Sequence, residues 1–452
     1  MGKIFGTDGI RGIANTGLTC ELAMKLGRAA ASVLGGENGR PKVLIGKDTR
    51  ASGDMLEAAL TAGLCSVGAD VISVGVVPTP AVAYLVQKYG CDAGAMISAS
   101  HNPCEYNGIK LFSGDGYKLP DSTEEKIEQL LEGDIEFDCP THGNVGRVTV
   151  GEDALADYIE YISDTTDCRF DGMKIGLDCS NGSASDSAKV LFEMLGAEVY
   201  CVADRPNGVN INDNCGSTHI ENIAAVVREQ GLDLGFAFDG DADRCLAVDG
   251  DGNLVDGDKL IAINAIDMKS RGRLNKNKAV VTVMSNMGFF RSMQDNNIDN
   301  AITKVGDRYV LEEMVRDDLS IGGEQSGHII FLDYATTGDG QLSAVQTLSA
   351  VKRSGKSLAQ LAEVMTVYPQ VLINITVSDS KKAELFTDSE IAAAIKSAEQ
   401  TLGDDGRVLV RASGTEPLVR VMLEGKELAL IERLGNEISD VVAERLCGTV
   451  KR

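Results

Sequence analysis

Cysteines spaced two residues apart never occur in this chain, although it holds eleven cysteines. An odd number of scattered thiols with no C-x-x-C pair argues against a disulfide framework or a zinc site and for reduced thiols. Positive charge is also scarce: 43 Lys and Arg against 67 Asp and Glu leave a net charge of −24. A field of that sign disfavours nucleic acid and anionic membranes as partners, and an anionic ligand would need a locally basic site. Long apolar runs are missing. The longest uncharged one, residues 71–86, is too short to span a bilayer and contains Pro78 and Pro80. Lys3, Asp8 and Arg11 leave no signal-peptide core near the first residue, so a cytoplasmic location is expected.

What is present is ordinary for a soluble chain. The 452 residues are 43% hydrophobic and 24% charged, which excludes disorder, collagen and coiled coil as the main state and suggests three or four domains. One pattern of strand, loop, helix and strand occurs three times. It begins at Lys42-Val-Leu-Ile-Gly, at Lys174-Ile-Gly-Leu-Asp and at Lys278-Ala-Val-Val-Thr-Val, the last ending in a weaker strand near Ala301. Leu56, Ala59, Leu60, Gly63, Leu64 and Val67 repeat at helical spacing, as do Ala188, Leu191, Phe192 and Leu195, with Ser185 or Asp186 able to cap. Short apolar strands around a helix predict right-handed βαβ units on parallel or mixed sheets. The tail reads differently. It has strand-like Gln370–Val377, Arg407–Arg411 and Val419–Leu423, and a last helix with Leu430, Ile431, Leu434, Ile438, Val441 and Val442 on one face. The expectation is an α/β protein of three tandem related domains, residues 1–150, 151–255 and 256–367, plus a small α+β domain, 368–452.

Five segments could carry chemistry. Asp239-Gly-Asp-Ala-Asp-Arg244 sets three carboxylates between two apolar runs. In an extended strand alternate residues stand ~6.5–7 Å apart. Ligands on one Mg²⁺ must approach to about 3 Å, so this segment must curl. It is a metal loop or a solvated acidic turn; as an EF-hand it fails, with Arg244 for Gly and Gly250 for Glu. Arg244 suits an anion beside the metal. Ile97-Ser-Ala-Ser-His-Asn-Pro103 follows an apolar strand, where open α/β sheets place ligands. Ser100 and His101 could be nucleophile and base, but neighbours in sequence rarely face each other, and a Ser/Asn/Pro turn is the plain alternative. Asn107-Gly-Ile-Lys110 matters only if Lys110 turns back toward Ser100. Gly322-Gly-Glu-Gln-Ser-Gly-His328 is a tight turn, or a loop whose Glu324 and Ser326 meet sugar hydroxyls or an amine. Arg411-Ala-Ser-Gly-Thr-Glu-Pro417, with Arg420 beyond, offers hydroxyls, backbone N–H groups and guanidinium groups suited to phosphate; no nucleotide P-loop is present.

Taken in order, Ser98-Ala-Ser-His-Asn-Pro, Asp239-Gly-Asp-Ala-Asp-Arg, Gly323-Glu-Gln-Ser-Gly-His and Arg411-Ala-Ser-Gly-Thr-Glu-Pro resemble the α-D-phosphohexomutase family, as does Phe5-Gly-Thr-Asp-Gly-Ile-Arg-Gly12. Gln325 and Cys215-Gly-Ser-Thr-His219 most resemble its members acting on glucosamine phosphates; those acting on mannose or glucose phosphates, the alternative, usually carry Met where Gln325 stands. The resemblance implies a four-domain, heart-shaped protein with its site in a central cleft. It implies interconversion of glucosamine 6-phosphate and glucosamine 1-phosphate through a 1,6-bisphosphate, feeding UDP-N-acetylglucosamine and cell-wall synthesis. By position, Ser100 would be the phosphoserine, and Ser100, Asp239, Asp241 and Asp243 would hold one Mg²⁺. Lys110 would be general acid/base, supported by Arg11 and His101. Glu324 and Ser326 would read the sugar, Arg244 would sit beside the reacting phosphate, and Arg411, Ser413, Gly414, Thr415 and Arg420 would hold the other. A small hexosamine phosphate is the expected partner; a homodimer is one option for the assembly, which the sequence does not set.

Overall fold

The computed structural model describes residues 4–6, 9–35, 40–133, 136–413 and 417–451. They carry four sheets. In the first, strand Lys42–Lys47 lies between parallel Asp70–Val76 and Ala93–Ile97, and Tyr106–Ser113 runs antiparallel beyond Ala93–Ile97. Ile10–Ile13 and Val148–Val150 add one strand at each edge. In the second, Lys174–Asp178 lies between parallel Glu198–Val202 and Leu234–Phe238, with Cys245–Asp249 antiparallel outside. In the third, Lys278–Thr282 lies between parallel Asp299–Thr303 and Ile321–Gly323, with Ile329–Phe331 antiparallel outside. The spatial order second–first–third–fourth therefore recurs three times, which bears out the tandem α/β reading.

That recurrence has a consequence for the site. In each sheet the short connection from the third strand to the fourth leaves the carboxyl end of a parallel strand. These connections are residues 98–105, 239–244 and 324–328. Three of the chemically suggestive segments thus occupy equivalent positions. The strands leading into them are fully buried: every residue of Ala93–Ile97, Leu234–Phe238 and Ile321–Gly323 is removed from solvent. Burying one Leu, Ile or Phe side chain in this way contributes about 2–3 kcal/mol, so the loops emerge from strands that are fully buried in each sheet.

One local expectation is corrected. The helix after Lys174–Asp178 opens at Ala188, with Ser187 at the N-cap position and no capping side chain. Ser185 bonds instead to the Gly182 carbonyl (2.7 Å), because the chain is still turning there.

The C-terminal sheet is antiparallel, in the order Gly406–Ala412, Leu418–Gly425, Gln370–Thr376, Thr449–Lys451. Helix Leu428–Arg445 buries Ile431, Leu434, Ile438 and Val442, which join Ile375, Val421 and Leu423 in one core. By contacts the chain divides into two compact units: residues 1–284 with 296–364, and residues 285–295 with 365–452. Helix Met287–Asp295 joins the second unit through Glu424. That buried carboxylate accepts from Met287 N (3.0 Å) and Asn286 Nδ2 (3.3 Å) and pairs with Arg407 at 2.6 Å. The arrangement places negative charge at a helix N-terminus, where the dipole favours it. Gly288 makes it possible, since a Cβ there would stand 1.8 Å from the Thr366 carbonyl oxygen. All eleven cysteines are free thiols. Among the described residues no helix is long and apolar enough to cross a membrane.

Candidate active site

Ser100 lies within the turn Ala99–Asn102 that follows strand Ala93–Ile97, with φ +53°. That conformation is uncommon for a residue with a Cβ. It swings the hydroxyl toward the second sheet, where Ser100 Oγ donates to Asp239 Oδ2 at 2.7 Å. It also brings Oγ to 3.3 Å from His101 Nδ1. The expectation that adjacent residues would not face each other is therefore corrected, and the left-handed φ is the reason.

The acidic segment curls as its chemistry demands. Ala242 takes φ +55° and its N–H closes a turn on the Asp239 carbonyl at 3.0 Å. One oxygen from each of Asp239, Asp241 and Asp243 then lies within 4.8 Å of the others. All three residues are at most 4% exposed. Gly240 is needed here: a Cβ on it would stand 2.6 Å from the Ser100 carbonyl oxygen.

Lys110, on the antiparallel strand Tyr106–Ser113, points into the acidic loop. Its Nζ reaches Asp241 at 2.8 Å and Asp243 at 3.5 Å, with 2% of the lysine exposed. Thr79, also buried, donates its hydroxyl to Asp241 at 2.6 Å and its N–H to the Asp241 carbonyl at 2.9 Å. His328 Nδ1 lies 3.7 Å from Asp243, and its Nε2 accepts from Gly338 N at 3.1 Å. Arg244 donates its backbone N–H to Asp239 at 3.2 Å and its Nε lies 3.9 Å from Asp243.

These contacts set the protonation of the group. Burial and then the charges of Asp243 and Asp241 push the Asp239 carboxyl well above its ordinary range. Burial acts on Asp243 in the same direction, but Lys110, His328 and Arg244 outweigh it and hold that carboxyl well below. His101 is pushed down to about 4, by burial first and then by Arg244 and Arg11, so it is neutral near pH 7. Asp243 and Asp307 raise His328 against its own burial.

The chemistry of the three carboxylates fits a divalent cation. Asp241 Oδ1 and Asp243 Oδ1 are buried and accept no hydrogen bond from the described residues. Leaving a buried acceptor unsatisfied costs about 1–3 kcal/mol, more for a charged one. Hard carboxylate oxygens gathered this closely are what Mg²⁺-type ions take as ligands.

The loop Glu324–His328 packs directly on this cluster, since Cys245 N donates to the Gly327 carbonyl at 3.0 Å. Glu324 Oε1 accepts from Gly306 N at 2.9 Å, and its charge acts on Arg244. Ser326 is exposed, and Gln325 Nε2 reaches Asp256 at 3.1 Å. Arg11 sits opposite Gly108 in the strand pair Ile10–Ile13/Tyr106–Ser113.

In the second unit Arg411 and Arg420 face each other across neighbouring strands. Burial and the Arg420 charge depress the Arg411 guanidinium. Ser413 N donates to the Leu418 carbonyl at 2.8 Å. Gly414 and Thr415 lie outside the described residues.

Sequence reasoning missed Thr79, Asp48 and Arg50, and it assigned no role to His328. A signal existed for the first three. Asp48-Thr-Arg50 follows strand Lys42–Lys47 and Thr79 follows Asp70–Val76, so all stand past the carboxyl ends of parallel strands, where sites gather.

Comparison with known proteins gives a consistent result. Phosphoglucomutase/phosphomannomutase family models match along the chain: alpha/beta/alpha domain I at residues 2–137, domain II at 156–252, domain III at 256–368 and the C-terminal domain at 372–441. The chain is 54% identical over 446 residues to phosphoglucosamine mutase of Clostridium novyi (strain NT), covering 98% of this chain and 99% of that one. It is also 54% identical to phosphoglucosamine mutase of Thermoanaerobacter sp. (strain X514), covering 99% and 100%. Among solved structures, a phosphoglucomutase/phosphomannomutase family protein from Burkholderia thailandensis superposes with TM-score 0.83 at 25% identity, covering 98% and 97%. Aspergillus fumigatus N-acetylphosphoglucosamine mutase, solved with GlcNAc-6P and magnesium, shares the fold with TM-score 0.65 at 18% identity, covering 95% and 100%.

Proposed function

Because the chain belongs to the phosphoglucomutase/phosphomannomutase family of α-D-phosphohexomutases, we propose that it interconverts glucosamine 6-phosphate and glucosamine 1-phosphate. Ser100 carries the phosphoryl group, glucosamine 1,6-bisphosphate is the intermediate, and the product feeds UDP-N-acetylglucosamine synthesis in the cytoplasm. The 54% identical phosphoglucosamine mutases support the choice of hexosamine. The observation that carries the reading is the 2.7 Å bond joining Ser100 Oγ to one of three clustered aspartates.

Asp239, Asp241, Asp243 and a phosphate oxygen on Ser100 would hold one Mg²⁺ per chain. Bound there, the cation supplies charge neutralisation for the transferring phosphoryl group. The need for it follows from the protein's own groups. Phosphorylated Ser100 loses the proton it now shares with Asp239 and adds about −1.5 to −2 charge beside three acids.

Lys110, whose Nζ is held 2.8 Å from Asp241, is the proton carrier for the sugar hydroxyl. As the hydroxyl oxygen attacks phosphorus and the bond from phosphorus to Ser100 Oγ breaks, cationic Lys110 gives up a proton that passes to the departing Ser100 Oγ and takes the hydroxyl proton in its place. Ser100 regains its proton and its bond to Asp239. Neutral His101 and cationic Arg11 and Arg244 line the path of the phosphoryl oxygens. Glu324 and Ser326 read the sugar, its amine included. Arg411, Ser413 and Arg420, with Gly414 and Thr415, grip the phosphate that does not react, and Arg is suited to accept either end of the bisphosphate.

An assay on glucosamine, glucose and mannose 6-phosphates with a trace of bisphosphate primer tests the proposal. Glucosamine 6-phosphate is expected to give the highest kcat/KM. Preference for glucose or mannose phosphate, or release of inorganic phosphate without isomer, would contradict it.

A further inference from the structure

The left-handed turn at Ser100 is not demanded by its own sequence. Ala99, Ser100, His101 and Asn102 contain no glycine, and a single non-glycine residue at φ +53° keeps that conformation only when its surroundings over-determine it. Two side chains outside the turn do so. Arg50 is fully buried, and its Nη2 donates to the carbonyls of Ser100 (2.9 Å) and Asn102 (2.8 Å). Its Nη1 donates to the carbonyls of Pro103 and Tyr106. From the loop after strand Glu198–Val202, Asn212 Nδ2 donates to the same two carbonyls, of Ser100 at 2.9 Å and of Asn102 at 3.1 Å.

The other side of the turn is fixed through the same arginine. Arg50 Nε pairs with Asp48 at 2.8 Å, Asp48 accepts from Ser98 Oγ at 2.6 Å, and Ser98 Oγ accepts from Ser100 N at 2.9 Å. Both backbone polar groups of Ser100 are therefore spoken for by one connected set. A planar guanidinium with donors in a fixed fork is suited to gripping several carbonyls at once, and lysine is not. Asn212 itself takes φ +56°, which aims its amide across from the second domain segment.

We propose that Arg50 and Asn212 are positioning residues that clamp the Ser100 turn in its left-handed conformation and so aim Oγ at Asp239. The inference rests on the reading of Ser100 as phosphoryl carrier. It adds two residues, on loops beside different sheets, to those that set the rate. An error of about 1 Å at a reacting atom costs on the order of a hundredfold in rate. Ser100 relaxing from the left-handed region would move Oγ by at least that much.

The test uses Asn212→Asp, which is isosteric but replaces the donating amide with oxygen, and Arg50→Lys, which keeps a cation beside Asp48. Each is measured for kcat and KM on glucosamine 6-phosphate, and each is crystallised. We expect kcat to fall by about ten- to a hundredfold with KM within about twofold. We also expect Ser100 to leave the left-handed region, with Oγ no longer bonded to Asp239. A merely structural weakening would raise KM and lower kcat together, or lower only the melting temperature. A variant structure in which Ser100 keeps φ near its present value and its Asp239 bond overturns the proposal, as does unchanged kcat. If Arg50→Lys fails to fold, Asn212→Asp decides alone, since its side chain is only half-buried. If the parent protein turns over no hexose phosphate, the functional reading falls, and the two crystal structures still decide whether the clamp exists.

Discussion

Gly240→Ala is the sharpest probe of how closely two backbones must meet at the site. A Cβ at Gly240 would stand 2.6 Å from the Ser100 carbonyl oxygen and 2.8 Å from both Asn212 Nδ2 and Ile211 Cδ1. A relaxed contact between carbon and a carbonyl oxygen is roughly 3.3 Å, so the metal loop and the serine turn must part by about 0.7 Å. The side chain of Ile211 can give way, but the Ser100 carbonyl cannot, because Arg50 and Asn212 hold it. Overpacking of this kind costs about 1–3 kcal/mol. The displacement falls directly between Ser100 Oγ and Asp239, so kcat should drop roughly ten- to a hundredfold. Steady-state kinetics on glucosamine 6-phosphate and a thermal melt read both effects. A variant with kcat within twofold of the parent and an unchanged melt would refute the claim that these two loops are held in contact for catalysis.

Other perturbations address separate parts of the account. Asp241→Asn removes a carboxylate whose Oδ1 is buried and unpaired, so the Mg²⁺ concentration giving half-maximal activity should rise at least about tenfold; an unchanged titration would count against the metal loop. Asp178, whose oxygens accept from Ser180 N and Gly216 N, is pushed up to about 6 by burial. The folded protein therefore binds more protons there than the unfolded chain between about pH 4 and 6, and loses stability as pH rises through that window. Roughly 3 kcal/mol is at stake by that shift, so Asp178→Asn should gain on the parent in urea denaturation from pH 4 to 7; a constant difference would contradict it. Inorganic phosphate should raise the melting temperature of the parent through the facing Arg411 and Arg420, and Arg420→Gln should lose most of that shift; equal shifts would remove those arginines from the phosphate loop.

Much of this architecture was legible in the residues. The three helices and their flanking strands announce themselves because apolar residues recur at fixed spacing on elements that bury one face, and the acidic segment announces its curl because three carboxylates cannot share an ion while extended. The equivalence of residues 98–105, 239–244 and 324–328 was not legible, since it depends on which strands lie side by side, and periodicity is silent on neighbours. Helix Met287–Asp295 shows the same limit: the third copy of the pattern calls for a helix after Lys278–Thr282, but its place in the second unit depends on Glu424, well over a hundred residues away. The place of Arg50 past the end of Lys42–Lys47 was legible, but its role was hidden for a different reason. A lone arginine in a polar loop reads as surface, and only the fold reveals a guanidinium buried among four carbonyls and a carboxylate. The inward turn of Ser100 toward His101 was likewise hidden, because nothing in Ala-Ser-His-Asn demands a left-handed residue.

The central claim is that Ser100 carries the phosphoryl group between sugar and protein. It is tested most directly by incubating the protein with a hexose 1,6-bisphosphate and Mg²⁺, then locating the phosphate by peptide mass spectrometry before and after adding glucosamine 6-phosphate. The expected result is one phosphoryl group on Ser100 that disappears as the sugar bisphosphate forms, and none on the folded Ser100→Ala variant. A phosphate found on another residue, or one on Ser100 that glucosamine 6-phosphate never removes, would contradict it.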